Sequence, residues 1–65
     1  MEHLNERLAD LKLSCAYCYS ETSEEKRVRI MNGISLVREQ LIEIGVERRF
    51  VDHFIRTCFD ELSQN

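Results

Sequence analysis

Five aliphatic residues set the register of the middle of this chain. Ile30, Ile34, Val37, Leu41 and Ile44 follow one another at intervals of four, three, four and three. Those intervals place all five on one side of an α-helix, as a seam. The stretch EEKRVRIMNGISLVREQLIEIG, Glu24 to Gly45, therefore reads as a long central helix against which the rest of the chain packs. The Asn32-Gly33 pair is a strong turn signal. The seam passes through it in phase, so the sequence predicts an unbroken helix in which a neighbouring helix comes close enough to explain the missing side chain.

The ends of this helix are well marked. Thr22 with Glu25 fits a capping box, and Ser23 is a competing N-cap. Glu24 and Glu25 occupy the first turn, where the helix dipole favours negative charge. At the other end Gly45 reads as a left-handed C-cap residue, with Val46 folding back on the last turn.

The first helix is expected over about residues 2–19. Leu4, Leu8, Leu11, Cys15 and Cys18 repeat the same intervals as a narrow, coiled-coil-like stripe. Leu13 and Tyr17 form an i, i+4 pair roughly opposite it and have no place in the same core. The third helix is expected over 47–63, with the central one over 23–44. Phe50, Val51, Phe54, Ile55, Cys58, Phe59 and Leu62 cover an arc of roughly 180°, wider than one seam needs. The fold class is thus all-α, a small antiparallel three-helix arrangement in a single domain, 1–65, expected to self-associate into a dimeric helical bundle.

Length sharpens that expectation. A chain of 65 residues buries only about 60% of its unfolded surface, and a core of this size rarely supplies more than roughly 3–5 kcal/mol. Val28, Met31 and Leu36 lie beside or outside the central seam, so apolar surface is left over for a second interface. No run of about 18 apolar residues exists to span a membrane, and the N-terminus has no secretory apolar region. Three cysteines, an odd number, fit a reducing compartment better than a disulfide framework. A cytoplasmic location is expected.

Chemistry-bearing motifs are few. Cys15-Ala16-Tyr17-Cys18 is a CxxC, readable as a redox pair or as half of a zinc site completed by Cys58, His53 or His3. Both cysteines fall on the seam in phase with the leucines, and a free cysteine behaves as a small buried hydrophobe. The core reading needs no further parts, so no metal and no cofactor are expected. There is no GxSxG, no phosphate-cradling glycine loop and no HExxH, and an enzyme is not expected.

Two functions remain. The first is a small regulatory or adaptor protein that binds and inhibits a partner protein through an amphipathic helical surface, itself a homodimer. Its partner-binding residues would be Phe50, Phe54 and Phe59, with Leu13 and Tyr17 as an auxiliary patch. The second is a DNA-binding regulator. Residues 37–56 have helix-turn-helix-like spacing, with Arg48, Arg49 and Arg56 toward nucleic acid. Against it stand a formal net charge of −3, Leu41 where a small residue is usual, and Glu47 and Asp52 on the would-be reading helix. Protein is therefore the first expected partner, with nucleic acid the alternative and no membrane.

Overall fold

The computed structural model describes residues 2–64, and the side chains of 4–64. Three helices make up the fold: α1 Glu2–Ser20, α2 Glu24–Glu43 and α3 Arg48–Ser63. Each lies within a residue or two of its expected span. No strand is present among the described residues.

Local chemistry accounts for the boundaries. Ser23, not Thr22, is the N-cap of α2: its backbone is extended and its hydroxyl accepts from the Lys26 amide at 3.4 Å. Serine in that position satisfies one of the amides that a helix start leaves without a carbonyl. The link before it is held by the Ser23 amide donating to Glu21 Oε1 at 3.0 Å. At the far end of α2 the Gly45 amide donates to the Ile42 carbonyl and the Val46 amide to the Leu41 carbonyl, both at 3.0 Å. This pair of bonds is a Schellman closure, and it requires the φ of +102° that Gly45 adopts. Ile44, expected as the last seam residue, is the C-cap and is 43% exposed, because the helix has already ended.

The core holds Leu11, Cys15 and Cys18 from α1, Ile34 and Leu41 from α2, and Val51 and Cys58 from α3. Leu4, Leu8, Ile30 and Val37 pack against it half-buried, so the seams of α1 and α2 do turn inward up to Leu41. One expectation is corrected. Helix α1, not α2, is the element on which the others rest, since it packs extensively on both neighbours whereas α2 and α3 share the least extensive contact. The small cysteines on its stripe allow close approach from two sides.

Asn32-Gly33 is helical and α2 is unbroken. The reason expected for the glycine is not found. A Cβ built on Gly33 would meet nothing within 4 Å, so no described neighbour approaches it.

Candidate interaction surfaces

All five aromatic side chains lie outside the core. Tyr17, Tyr19 and Phe50 are exposed by 61%, 47% and 48%, and Phe54 and Phe59 are only half-buried against the cluster. Large rings carry the most hydrophobic area per residue. Leaving them wet is the main departure of this fold from an ordinary small core.

The expected partner-binding residues do not behave as one group. Leu13 and Tyr17 project from the side of α1 away from the core and are more than half exposed. Phe50 is available, and its ring lies 6.4 Å from that of Phe54, tilted by 32°. Phe54 and Phe59 flank the buried pair Val51 and Cys58 on opposite sides, as their five-residue separation on a helix requires. They line the core's edges and do not form a single patch with Leu13 and Tyr17 on the same element. Tyr19 has no place in the sequence pattern; it lies beside the α1 stripe, where only the packing of the neighbours decides burial. Val28, Met31 and Leu36 are exposed, as the width of the α2 seam predicts. Val28 and Met31 line an apolar depression with Cys18.

The three thiols are free and buried. Burial pushes Cys15 up to about 11, with Cys58 and Cys18 nearby adding to the effect, and Cys58 is raised chiefly by its own burial. Cys15 is therefore protonated near neutrality and a poor nucleophile. Among the described residues no three His, Cys, Asp or Glu side chains are arranged to hold a metal ion. The His3 side chain lies outside the described residues. His53 is exposed, 3.5 Å from Thr57 Oγ1.

The α3 arginines form a second kind of surface. Arg48, Arg49 and Arg56 are exposed and enter no ion pair among the described residues. Asp52, which would repel an anion there, is engaged from α2. Arg38 Nε donates to its Oδ1 at 2.6 Å and Nη2 to its Oδ2 at 3.3 Å, while Nη1 donates to Glu39 Oε1 at 2.7 Å. These hydrogen bonds, with Arg48 and Arg56 close by, hold the Asp52 carboxyl below its usual range. No acidic residue sits in the first turn of α3, and Arg48 and Arg49 occupy it instead. That is the wrong sign for the helix dipole, at a cost of about 0.3–1 kcal/mol for a charge so placed. Leu41 is fully buried, and the limited contact between α2 and α3 differs from the close helix pair of a helix-turn-helix unit.

Comparison with protein-family models, with curated proteins and with solved structures finds no match to this chain.

Proposed function

We propose that this chain is a small, non-enzymatic regulatory protein that binds and inhibits a partner protein through the apolar outer surface of its helices. The observation that carries this reading is the exclusion of all five aromatic side chains from the core. Exposed aromatic and aliphatic side chains on a rigid helical scaffold are what interface anchors are made of. Leu13 and Tyr17 are the principal anchors and Phe50 a further one. Phe54 and Phe59 act mainly as the packing beneath. Leu13 and Tyr17 are 55% and 61% exposed, so covering what remains of each is worth about 1–2 kcal/mol, together a large fraction of the stability of so small a domain. A two-fold homodimer is one way to cover part of this surface. Links of three and four residues favour successive helices running antiparallel. The cytoplasm is the compartment that suits three free thiols.

The test compares wild type with Leu13→Glu and Tyr17→Glu. Both positions are exposed, so circular dichroism should be unchanged. Wild type should sediment above the monomer mass at micromolar concentration and retain a specific protein from host lysate, and both variants should lose these properties. A wild-type monomer that captures nothing, or variants that behave as wild type, would refute the reading.

A second reading is favoured by one observation, the arginines of α3, which form no ion pair among the described residues, around an aspartate already held by Arg38. It makes this face a site for a polyanion, nucleic acid in particular, in a chain whose formal net charge is −3.

A further inference from the structure

The seams that build the core do not exhaust the order in α1 and α2. A second stripe runs along each: Asp10, Ser14 and Tyr17 on α1, and Arg29, Gly33 and Leu36 on α2. Both follow the intervals four and three, so each stays within an arc of about 60°. Five of the six residues are exposed and Ser14 is half-buried. Tyr17 and Leu36, at 61% each, are the most exposed of the large apolar residues described. Both stripes turn away from α3. On α2, Arg38 reaches α3 through Asp52, and Arg29, Gly33 and Leu36 stand about 140–180° around the helix from Arg38. On α1, Lys12 and Ala16 border a depression with Cys58 and Leu62 of α3, and Asp10, Ser14 and Tyr17 stand about 100–160° around from those two. The stripes therefore lie on the same side of the α1/α2 pair, the side that α3 leaves open.

We propose that this side is covered by the same side of a second copy, with α1 of each chain lying parallel to α2 of the other about a two-fold axis. The inference rests on the reading of the outer helical surface as an interface, and it names one occupant of the Tyr17 face. The stripes match in order, size and charge. Their offsets in sequence are equal, so a single register sets Tyr17 on Leu36, Ser14 on Gly33 and Asp10 on Arg29. Tyr17 and Leu36 then shield each other from water. Ser14 and Gly33 put the smallest side chains of the stripes where the helices come closest. A Cβ on Gly33 would meet nothing within 4 Å inside its own chain, so the missing side chain serves a neighbour from outside. Asp10 and Arg29 are opposite charges. Arg29 also bonds Glu25 at 3.0 Å, and the same register brings Glu6 toward Glu25, so Arg29 stands among acids of both copies. A foreign helix would have to reproduce this order of charged, small and apolar positions, whereas a second copy presents it twice by symmetry. Leu13 borders the seam beside Tyr17. Helices of 19 and 20 residues give the α1/α2 pair a footprint of roughly 30 by 20 Å. That is at the low end for a specific interface, so the dimer is concentration-dependent.

The experiment is sedimentation equilibrium of the whole chain under reducing conditions, from low to high micromolar concentration. Wild type should pass from monomer to dimer mass and no further. Asp10→Lys and Arg29→Glu should each weaken the dimer about tenfold or more, since symmetry applies each reversal twice. The two together should restore it to within about threefold of wild type. Gly33→Gln puts a good helix former at an open position of the monomer and should weaken the dimer at least as much as either reversal. Circular dichroism checks that each variant is folded. A wild type that stays monomeric throughout would overturn the inference, and capture of another protein by that monomer would leave the regulatory reading standing. A dimer indifferent to Gly33→Gln, or a charge-reversed pair no tighter than its single variants, would overturn this interface. A wild type that dimerises as described and captures no other protein would overturn the partner reading and leave the dimer.

Discussion

Alanine substitution at the two glycines should change stability in opposite directions. Gly33 is inside α2, exposed, and a methyl carbon added there would have nothing within 4 Å. Alanine meets no clash and restricts the unfolded chain, so Gly33→Ala should stabilise the fold by about 0.8–1 kcal/mol. Gly45 has φ +102°, a conformation that costs an L residue roughly 1–2 kcal/mol. Its amide and that of Val46 close the end of α2 on Ile42 and Leu41, and neither bond survives if the residue relaxes to negative φ. Gly45→Ala should therefore destabilise by at least that amount. Against a total of roughly 3–5 kcal/mol, both effects are large. In thermal melts followed by circular dichroism each kilocalorie is worth about 4–8 °C in a domain this size. Gly33→Ala should melt several degrees higher and Gly45→Ala clearly lower. The sites are far enough apart for the double variant to add. A Gly33→Ala variant that melts below wild type at every concentration would refute the account of α2. Stabilisation that is present in dilute samples but disappears in concentrated ones would instead place Gly33 against a second copy of the chain.

Three further outcomes follow from burial and charge. Leu41→Ala removes a fully buried side chain at a cost of about 2–5 kcal/mol and should leave the chain largely unfolded at 25 °C. Leu36→Ala, 61% exposed, should move the urea midpoint by no more than about 0.5 kcal/mol equivalent; similar losses at both sites would undo the assignment of inside and outside. Asp52 is held below its ordinary value by Arg38. The stability it contributes is therefore present above the unfolded carboxyl's value of 3.8 and is lost as pH falls through the lower folded value. Asp52→Asn should flatten the acid limb of a stability–pH curve, and identical limbs for both proteins would remove the pair from the account. Cys15, raised from 9.0 to about 11, should resist a thiol-specific disulfide reagent at pH 8 until urea is added. Stability should fall as pH rises from about 9 toward 11, because the unfolded thiol ionises first; immediate native labelling of all three thiols would contradict their burial.

The helices were legible because their information is local. Intervals of three and four mark the seams, Ser23 and Gly45 mark the ends of α2, and the phase of Ile30 with Ile34 overrules the Asn-Gly turn signal. The same local information placed Leu13 and Tyr17 outside and the cysteines inside. What could not be read depends on how the helices are arranged. The arc of α3 spans Phe50 to Phe59, and which part of it is buried is set by where α1 and α2 lie. Helix α2 has the longer seam, yet α1 is central, because a stripe that serves two neighbours has the same periodicity as one that serves a single neighbour. The Arg38–Asp52 pair joins residues 14 apart across a turn, and no helical periodicity reports such a contact. It matters for function, since it engages Asp52, one of the two acids that argued against an anion at α3.

The character of the surface follows from the character of the core. Cys15, Cys18 and Cys58 take three of the seven buried positions, and they are compact side chains. Small residues at the closest approach let helices pack toward the near end of the usual 8–10 Å separation. A ring placed among such compact neighbours would have to displace them, at the cost of overpacking. The rings are therefore displaced to the rims, where Phe54 and Phe59 seal the edges and Phe50, Tyr17 and Tyr19 remain exposed. A chain of the same length with leucine at the cysteine positions would have a wider core able to take rings in, and it would have less aromatic surface to offer.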